Sequence, residues 1–237
     1  MEEVELIRGI KAVNKALWIP EKKIMVIGDV HIGYEGALNK KGILVPRTQF
    51  KEMKNQISEL LDCLKPKAVI INGDLKHEFG EISRQEWHDT SEFLDLILKN
   101  SKVVLIKGNH DTMLEPIAKK KNLEIMDYYC FDDVCITHGH KIRIEDDFHK
   151  AKTIIISNEH PAVSVRDGLR TETYKCFLLG EWKRKNLIVL PSFNSITEGS
   201  DVRREERLSP YLQQDISNFQ VFILGDRIYK FGKLKDI

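Results

Sequence analysis

Five short apolar runs in this chain each stop at polar residues of the kind that hold hard metal ions. Ile24 to Ile27 leads into Gly28-Asp29-Val30-His31, Ala68 to Ile71 into Asn72-Gly73-Asp74, and Val103 to Ile106 into Gly108-Asn109-His110-Asp111. Val134 to Ile136 runs into Thr137-His138-Gly139-His140, and Ile154 to Ile156 into Ser157-Asn158-Glu159-His160. Runs of this length bounded by Gly, Asn and Asp predict buried strands. Ligands in open α/β sheets gather beyond the strand ends. Five such ends predict one shared site.

Between the strands of the first half the apolar spacing turns helical. Pro46-Arg47-Thr48 opens a helix with Phe50, Met53, Ile57, Leu60, Leu61 and Leu64 on one face, and Pro66 lies past its end. Ser83 with Glu86 three residues on matches a capping box. The helix it starts turns Trp87, Leu94, Ile97 and Leu98 inward and ends near Asn100. The connection from Gly33 to Val45 is long enough to reach over the site. From Leu123 onward the pattern is of short strands: 123–126, 129–131, 134–137, 154–157, 175–179, 187–190, 221–224 and 228–231, with Gly225-Asp226 as a tight hairpin turn. Arg203 to Arg207 reads as an exposed loop or short helix. Two packed sheets with helices outside, in one domain over residues 1–237, fit this pattern.

Composition narrows the partners. Lys+Arg at 37 against Asp+Glu at 36 gives a formal net charge of +1, so bulk charge does not carry the chain onto nucleic acid or membrane. The acidic start, Met1 to Glu5, lacks a signal-peptide pattern. No apolar stretch approaches the roughly 20 residues that span a bilayer. Cys63, Cys130, Cys135 and Cys176 form no CxxC pair and are expected as thiols, three of them in apolar surroundings, with a Cys130–Cys135 disulfide or soft-metal pair as the lesser alternative. A cytoplasmic setting is the expectation.

The chemistry lies at the strand ends. Asp29 and His31, two apart on an extended segment, point the same way and can share an ion. Gly73 lets the backbone pass close to a ligand, and the two oxygens of Asp74 can bridge two cations. Asn109 offers a carbonyl oxygen; His138 and His160 offer imidazole nitrogens. Such a nitrogen–oxygen set without thiolate suits Mn, Fe, Ni or Zn. Singly, each element is a turn, a cap or a core histidine; in order, and always at strand ends, they specify a site.

Asp29-x-His31, Gly73-Asp74, Gly108-Asn109-His110-Asp111, His138-Gly139 and the segment ending in His160 resemble the calcineurin-like metallophosphoesterase superfamily. Three further strings, 73–79, 137–140 and 159–163, resemble a narrower branch: archaeal proteins related to the SbcD nuclease, and the bacterial ligase-associated phosphoesterases of PdeM type. The resemblance implies a four-layer α/β/β/α sandwich of two mixed sheets flanked by helices. It also implies two divalent metal ions, manganese first, with Fe, Ni or Zn as alternatives. Metal one falls to Asp29, His31, Asp74 and His160, and metal two to Asp74, Asn109, His138 and the residue two before His160. That residue is Asn158 where the superfamily has histidine, which predicts a weaker second site. Ligation by Asn158, a water in its place and loss of the metal all stay open. Two cations acidify a bridging water for in-line attack on phosphorus. His110 stabilises or protonates the leaving group, and Asp111 holds and polarises His110. His140 serves either as a hydrogen-bonding partner or near the metals.

Lys76 and His77, directly after Asp74, are the favoured substrate contacts, with His140 beside them. Arg47, Arg143, Arg166 and Arg170 read as solvated arginines, and Lys119 to Lys121 and Lys183 to Lys185 as solvated turns. The expected partner is a phosphoester substrate; nucleic acid and a homodimer stay open, and no membrane is expected. Three functions follow: a metal-dependent phosphodiesterase acting as a nuclease in DNA metabolism, a phosphoesterase for a nucleotide or cyclic nucleotide, and a catalytically weak metal- or nucleic-acid-binding module.

Overall fold

The computed structural model describes residues 1–45, 48–78, 82–168 and 170–237. Its first sheet has seven strands in chain order: β1 (Val4–Ile7), β2 (Ile10–Val13), β3 (Ala16–Ile19), β4 (Ile24–Gly28), β5 (Ala68–Asn72), β6 (Lys102–Ile106) and β7 (Ile125–Met126). β1 to β4 form an antiparallel meander, and β4 to β7 run parallel. Helices α1 (Tyr34–Lys40), α2 (Gln49–Leu64), α3 (Arg84–Leu98) and α4 (Glu115–Lys120) fill the connections.

The second sheet holds β8 (Tyr128–Phe131), β9 (Val134–Thr137), β10 (Thr153–Ile156), β11 (Pro161–Asp167), β12 (Arg170–Trp182), β13 (Lys185–Val189), β14 (Ser200–Asp201), β15 (Gln220–Leu224) and β16 (Ile228–Lys233), with α5 (Asp146–Lys150) between β9 and β10. β9, β10 and β13 run parallel and their partners are antiparallel, so both sheets are mixed.

The continuous apolar runs exist because both faces of their strands are covered. Met25 and Ile27 of β4 pack under α2 and α3, with Met53, Ile57, Leu60 and Phe93. Ile24 and Val26 point the other way, into a layer between the sheets with Ile70, Ile155, Phe177 and Ile188. Beyond the second sheet Ile154, Ile156 and Leu178 meet Phe148 of α5 and Tyr211 and Leu212. The layers are therefore α/β/β/α, with a thin fourth layer of α5 and the Pro210–Leu212 turn.

Several local expectations change. Pro46, Arg47 and Phe79 lie outside the described residues; α2 begins at Gln49 after Thr48. Ser83 Oγ caps α3 by accepting from Glu86 N (3.1 Å), but the box is half-formed. The Glu86 carboxylate instead accepts from His77 N and Glu78 N, both at 3.0 Å. The Gly33–Val45 connection contains α1. Cys130 and Cys135, expected as thiols, are directly opposed on β8 and β9, with Cα atoms 4.2 Å apart, and form a disulfide. Cysteine content therefore carries no argument for a reducing compartment. No helix among the described residues is long and apolar enough to cross a membrane.

Candidate functional site

Because β4, β5 and β6 are parallel neighbours, as are β9, β10 and β13, the loops after them open on one edge of the sandwich. There the chain leaves extended geometry. Asp29 (φ 51°), His31 (φ 48°), Asp74 (φ 46°) and His160 (φ 50°) all sit in the left-handed region. Such conformations cost roughly 1–3 kcal/mol each and persist only where surroundings impose them. The D-x-H pair is thus not an extended segment, as expected from its spacing, but a tight turn held by tertiary hydrogen bonds.

Those bonds come from both sheets. Asp29 N donates to Gly73 O (3.2 Å), and His31 N to Asp74 O (2.9 Å). Ser192 Oγ donates to Asp29 O (2.9 Å), and Phe193 N to Gly28 O (2.9 Å). Asn194 Nδ2 donates to Val30 O and His31 O at 3.0 and 3.3 Å. Behind this loop Lys15 Nζ donates to Ser195 Oγ (2.9 Å) and Lys175 Nζ to Ser192 O (2.9 Å). Close approach also requires two glycines. A Cβ on Gly73 would lie 2.2 Å from the His138 ring, and one on Gly108 would lie 2.0 Å from Asp74 Oδ1.

The side chains converge on two buried carboxylates. Asp29 Oδ1 accepts from His138 Nε2 at 3.0 Å and lies 3.2 Å from His160 Nε2. Asp74 Oδ2 lies 3.5, 3.8 and 3.9 Å from ring nitrogens of His138, His110 and His31. His31 and His160 bring their Nε2 atoms to 3.4 Å. Burial alone would raise the Asp29 carboxyl, but the charge of His160 and the hydrogen bonds of both histidines hold it well below the usual range. Burial pushes Asp74 up to about 7; Asp29 and Asp111 add to the rise and His138 opposes it. For His138, burial is outweighed by the hydrogen bond and charge of Asp29, which raise its pKa.

Two carboxylates out of water beside several imidazoles need positive charge to stay ionised. Asp29 Oδ2 is buried with no hydrogen-bond partner. Both Asp29–His31–His160 and Asp29–Asp74–His138 place one donor atom per residue within 4.8 Å of the others. The donor set fits divalent cations.

The remaining expected residues divide. His110 N donates to Asp74 Oδ1 (2.8 Å), and its Nδ1 is 2.6 Å from the His77 carbonyl. That carbonyl, not Asp111, orients the ring. Asp111 accepts from Leu75 N (3.1 Å), Lys76 N (3.4 Å) and Gly108 N (3.0 Å), so its carboxylate knits two loops together. Asn109 is exposed and Asn158 buried, and neither side chain is hydrogen-bonded to the cluster; Asn158 N donates to His138 O (2.9 Å). His140 Nδ1 meets His138 Nδ1 at 2.9 Å, so it backs a ring of the cluster.

Lys76, expected on substrate, is wholly buried, with its ammonium on the Glu78 carbonyl. His77 does face a cavity of about 530 Å³, lined also by His110, Glu78, Ala37, Lys40 and Lys41. Tyr34 of α1 packs on it, ring centroids 4.4 Å apart. Arg143 is not solvated: it is buried and bonded to Asp127 and Glu145, both at 3.2 Å. Lys183 to Lys185 form the turn before β13, at the sheet edge opposite the cluster, and Lys119 to Lys121 close α4 before β7, also away from it. Ser192 and Asn194 were missed, although β13 is a sixth apolar run ending in polar residues. Glu86, read as half of a capping box, was missed as the acceptor of His77 N and Glu78 N, and Lys40 and Lys41 at the end of α1 were missed because their contacts are tertiary.

A family model described as calcineurin-like phosphoesterase matches residues 22–224. No curated protein matches the chain. Among solved structures, the nuclease MPE of Pseudomonas putida superposes with a TM-score of 0.71 at 18% identity, covering 96% of this chain and 98% of that one, a likeness of fold. The phosphoesterase YfcE of E. coli (TM-score 0.38, 14% identity, 75% and 83% covered) is too distant to carry an argument.

Proposed function

The chain belongs to the calcineurin-like phosphoesterase family, a hydrolase acting on phosphoester bonds, and on that premise we propose that it cleaves phosphodiesters, with DNA as the substrate class. The observation that carries this reading is the convergence of three histidines on Asp74 Oδ2 within 3.9 Å, beside a second buried carboxylate, Asp29, shared by His138 and His160. Nuclease action is supported by the fold-level likeness to the Pseudomonas putida nuclease over 96% of the chain. The motif strings around Asp74, His138 and His160 support the SbcD-related and ligase-associated branch. The family match over 22–224 supports one domain over residues 1–237.

Asp29, His31, Asp74 and His160 would hold one divalent cation, and Asp74 with His138, Asn109 and Asn158 a second, weaker one, manganese being the first choice. When bound, such cations polarise phosphoryl oxygens and acidify water. The protein's own groups do the rest. His110, fixed through Nδ1 by the His77 carbonyl, presents Nε2 on the side of Asp74 and is the proton donor to the leaving oxygen. Burial lowers its pKa, which makes it a better acid once protonated. A phosphodiester anion in the adjoining cavity opposes that shift. Lys41 and His77 line the cavity and favour an anionic strand there, while Lys40, also on its wall, is paired with Glu78 at 3.1 Å.

A substrate panel with Mn²⁺ tests the proposal: single-stranded and duplex DNA, bis(p-nitrophenyl) phosphate, p-nitrophenyl phosphate and a cyclic nucleotide. DNA and the aryl diester should turn over, and DNA cleavage should fall steeply with salt as phosphate contacts are screened. A cyclic nucleotide or the monoester turned over faster than DNA would replace this reading with the small-metabolite one.

A further inference from the structure

One group of side chains near the cluster has a different chemical character. His31, His77 and His110 each place a ring nitrogen within 4.8 Å of the other two. Their ring centroids form a near-equilateral triangle of 5.4 Å (His31–His77), 5.0 Å (His31–His110) and 5.4 Å (His77–His110). No carboxylate is one of the three, although Asp74 Oδ2 lies 3.8 and 3.9 Å from the Nε2 atoms of His110 and His31. His31 Nδ1 and His77 Nδ1 are both buried without a hydrogen-bond partner. A buried polar atom left unpaired costs roughly 1–3 kcal/mol, and two in one trio point to a ligand.

We propose that His31, His77 and His110 form an alternative all-imidazole cation site, sharing His31 with the carboxylate-containing groups, that takes a borderline ion such as Zn²⁺ or Ni²⁺. Ligand identity separates the two kinds of site. Groups containing Asp29 or Asp74 are acidic and suit Mn²⁺, whereas neutral imidazoles select ions later in the divalent series. Zinc bonds of about 2.0–2.1 Å set tetrahedral ligands about 3.4 Å apart. The trio therefore has to tighten by rotation of its rings, and the cavity beside His77 and His110 gives them room and supplies a water as fourth ligand. Lys40 is neutralised by Glu78 at 3.1 Å, but Lys41 also lines this cavity and limits the affinity.

The site is antagonistic to the first. His31 also belongs to the Asp29–His31–His160 group, and His110 is the proton donor of the proposed reaction. An ion held by the trio draws on both, so excess zinc should inhibit manganese-supported turnover. Only this inhibitory consequence rests on the proposed function; the binding does not.

The test is a Co²⁺ titration of the metal-stripped full chain, wild type against His77→Gln, followed by visible absorption, with circular dichroism to confirm folding. The last ion bound by the wild type should give the intense band of a low-symmetry nitrogen site. His77→Gln should lose that band, or develop it only at about 100-fold higher Co²⁺. The same band at the same Co²⁺ concentration in the folded variant overturns the proposal. Should the variant misfold, wild-type crystals soaked in zinc decide: anomalous density among the three rings supports the site, and its absence overturns it. Failure of every phosphoester to turn over would strike the proposed function and leave this titration intact.

Discussion

Asn194→Ala isolates the brace behind the D-x-H turn. Asn194 is wholly buried. Its Nδ2 donates to Val30 O at 3.0 Å and His31 O at 3.3 Å, and its Oδ1 accepts from Ile196 N at 2.9 Å. His31 O keeps a second donor, Tyr34 N at 3.2 Å. Truncation therefore strands the buried Val30 O and takes an acceptor from the half-buried Ile196 N and from the buried Gln49 side chain. At roughly 1–3 kcal/mol each, with water entering part of the vacated space, the expected loss is about 3 kcal/mol. The same change frees Asp29 and His31 to leave their left-handed conformations, so Mn²⁺ affinity should fall about 10–100-fold, the usual effect of losing an outer support. Urea unfolding gives the first quantity and calorimetric titration the second. Asn194→Asp, which keeps the acceptor but turns a buried carboxylate oxygen onto Val30 O and His31 O, should cost at least as much. A stability loss below about 0.5 kcal/mol, with Mn²⁺ affinity unchanged, would refute the assignment, since exposed positions commonly show that much.

Other expectations follow from the same geometry. Gly73→Ala combines φ 81° with a Cβ 2.2 Å from the His138 ring; it should cost at least about 2 kcal/mol and displace His138, read by urea midpoint and by metal affinity. His140→Ala removes the partner of His138 Nδ1 and should weaken metal binding about 10-fold with little change in unfolding midpoint. Lys175 is held down to about 7 by burial, with the charge of Lys15 adding to it. Below that pH its burial penalty is fully present; between about 7 and its ordinary 10.5 only the unfolded chain keeps the proton. Stability should therefore rise with pH there by up to about 1.4 kcal/mol per unit. Lys175→Met should flatten the rise in urea midpoints measured from pH 6 to pH 10.

Much of this architecture was legible because the strands around the site are covered on both faces and so spell unbroken apolar runs. The ends of β4, β5, β6, β9 and β10 gave Asp29, His31, Asp74, His110, His138 and His160 as neighbours. The missed elements are those with weaker local signals. β1 to β3 are four-residue strands joined by short turns, and β11 opens on a proline. Side-chain roles were least legible. Asp111 next to His110 in sequence suggested a pair, yet an adjacent residue in a tight turn points elsewhere, and the His77 carbonyl does the orienting. Lys76 beside Asp74 suggested a phosphate contact, but the register of the Ile32–Lys76 bridge turns it inward. Asn158 was expected to make the two metals unequal, and with no hydrogen bond from its side chain to the cluster that inequality stays a proposal.

Turnover of bis(p-nitrophenyl) phosphate with added Mn²⁺, by wild type and by His110→Ala, decides whether this site hydrolyses phosphodiesters. Wild type should show activity that a chelator abolishes and Mn²⁺ restores, and the variant a drop of at least about 100-fold in kcat with the metal still bound. Absence of turnover with every divalent ion tried, or a His110→Ala variant as fast as wild type, would contradict it.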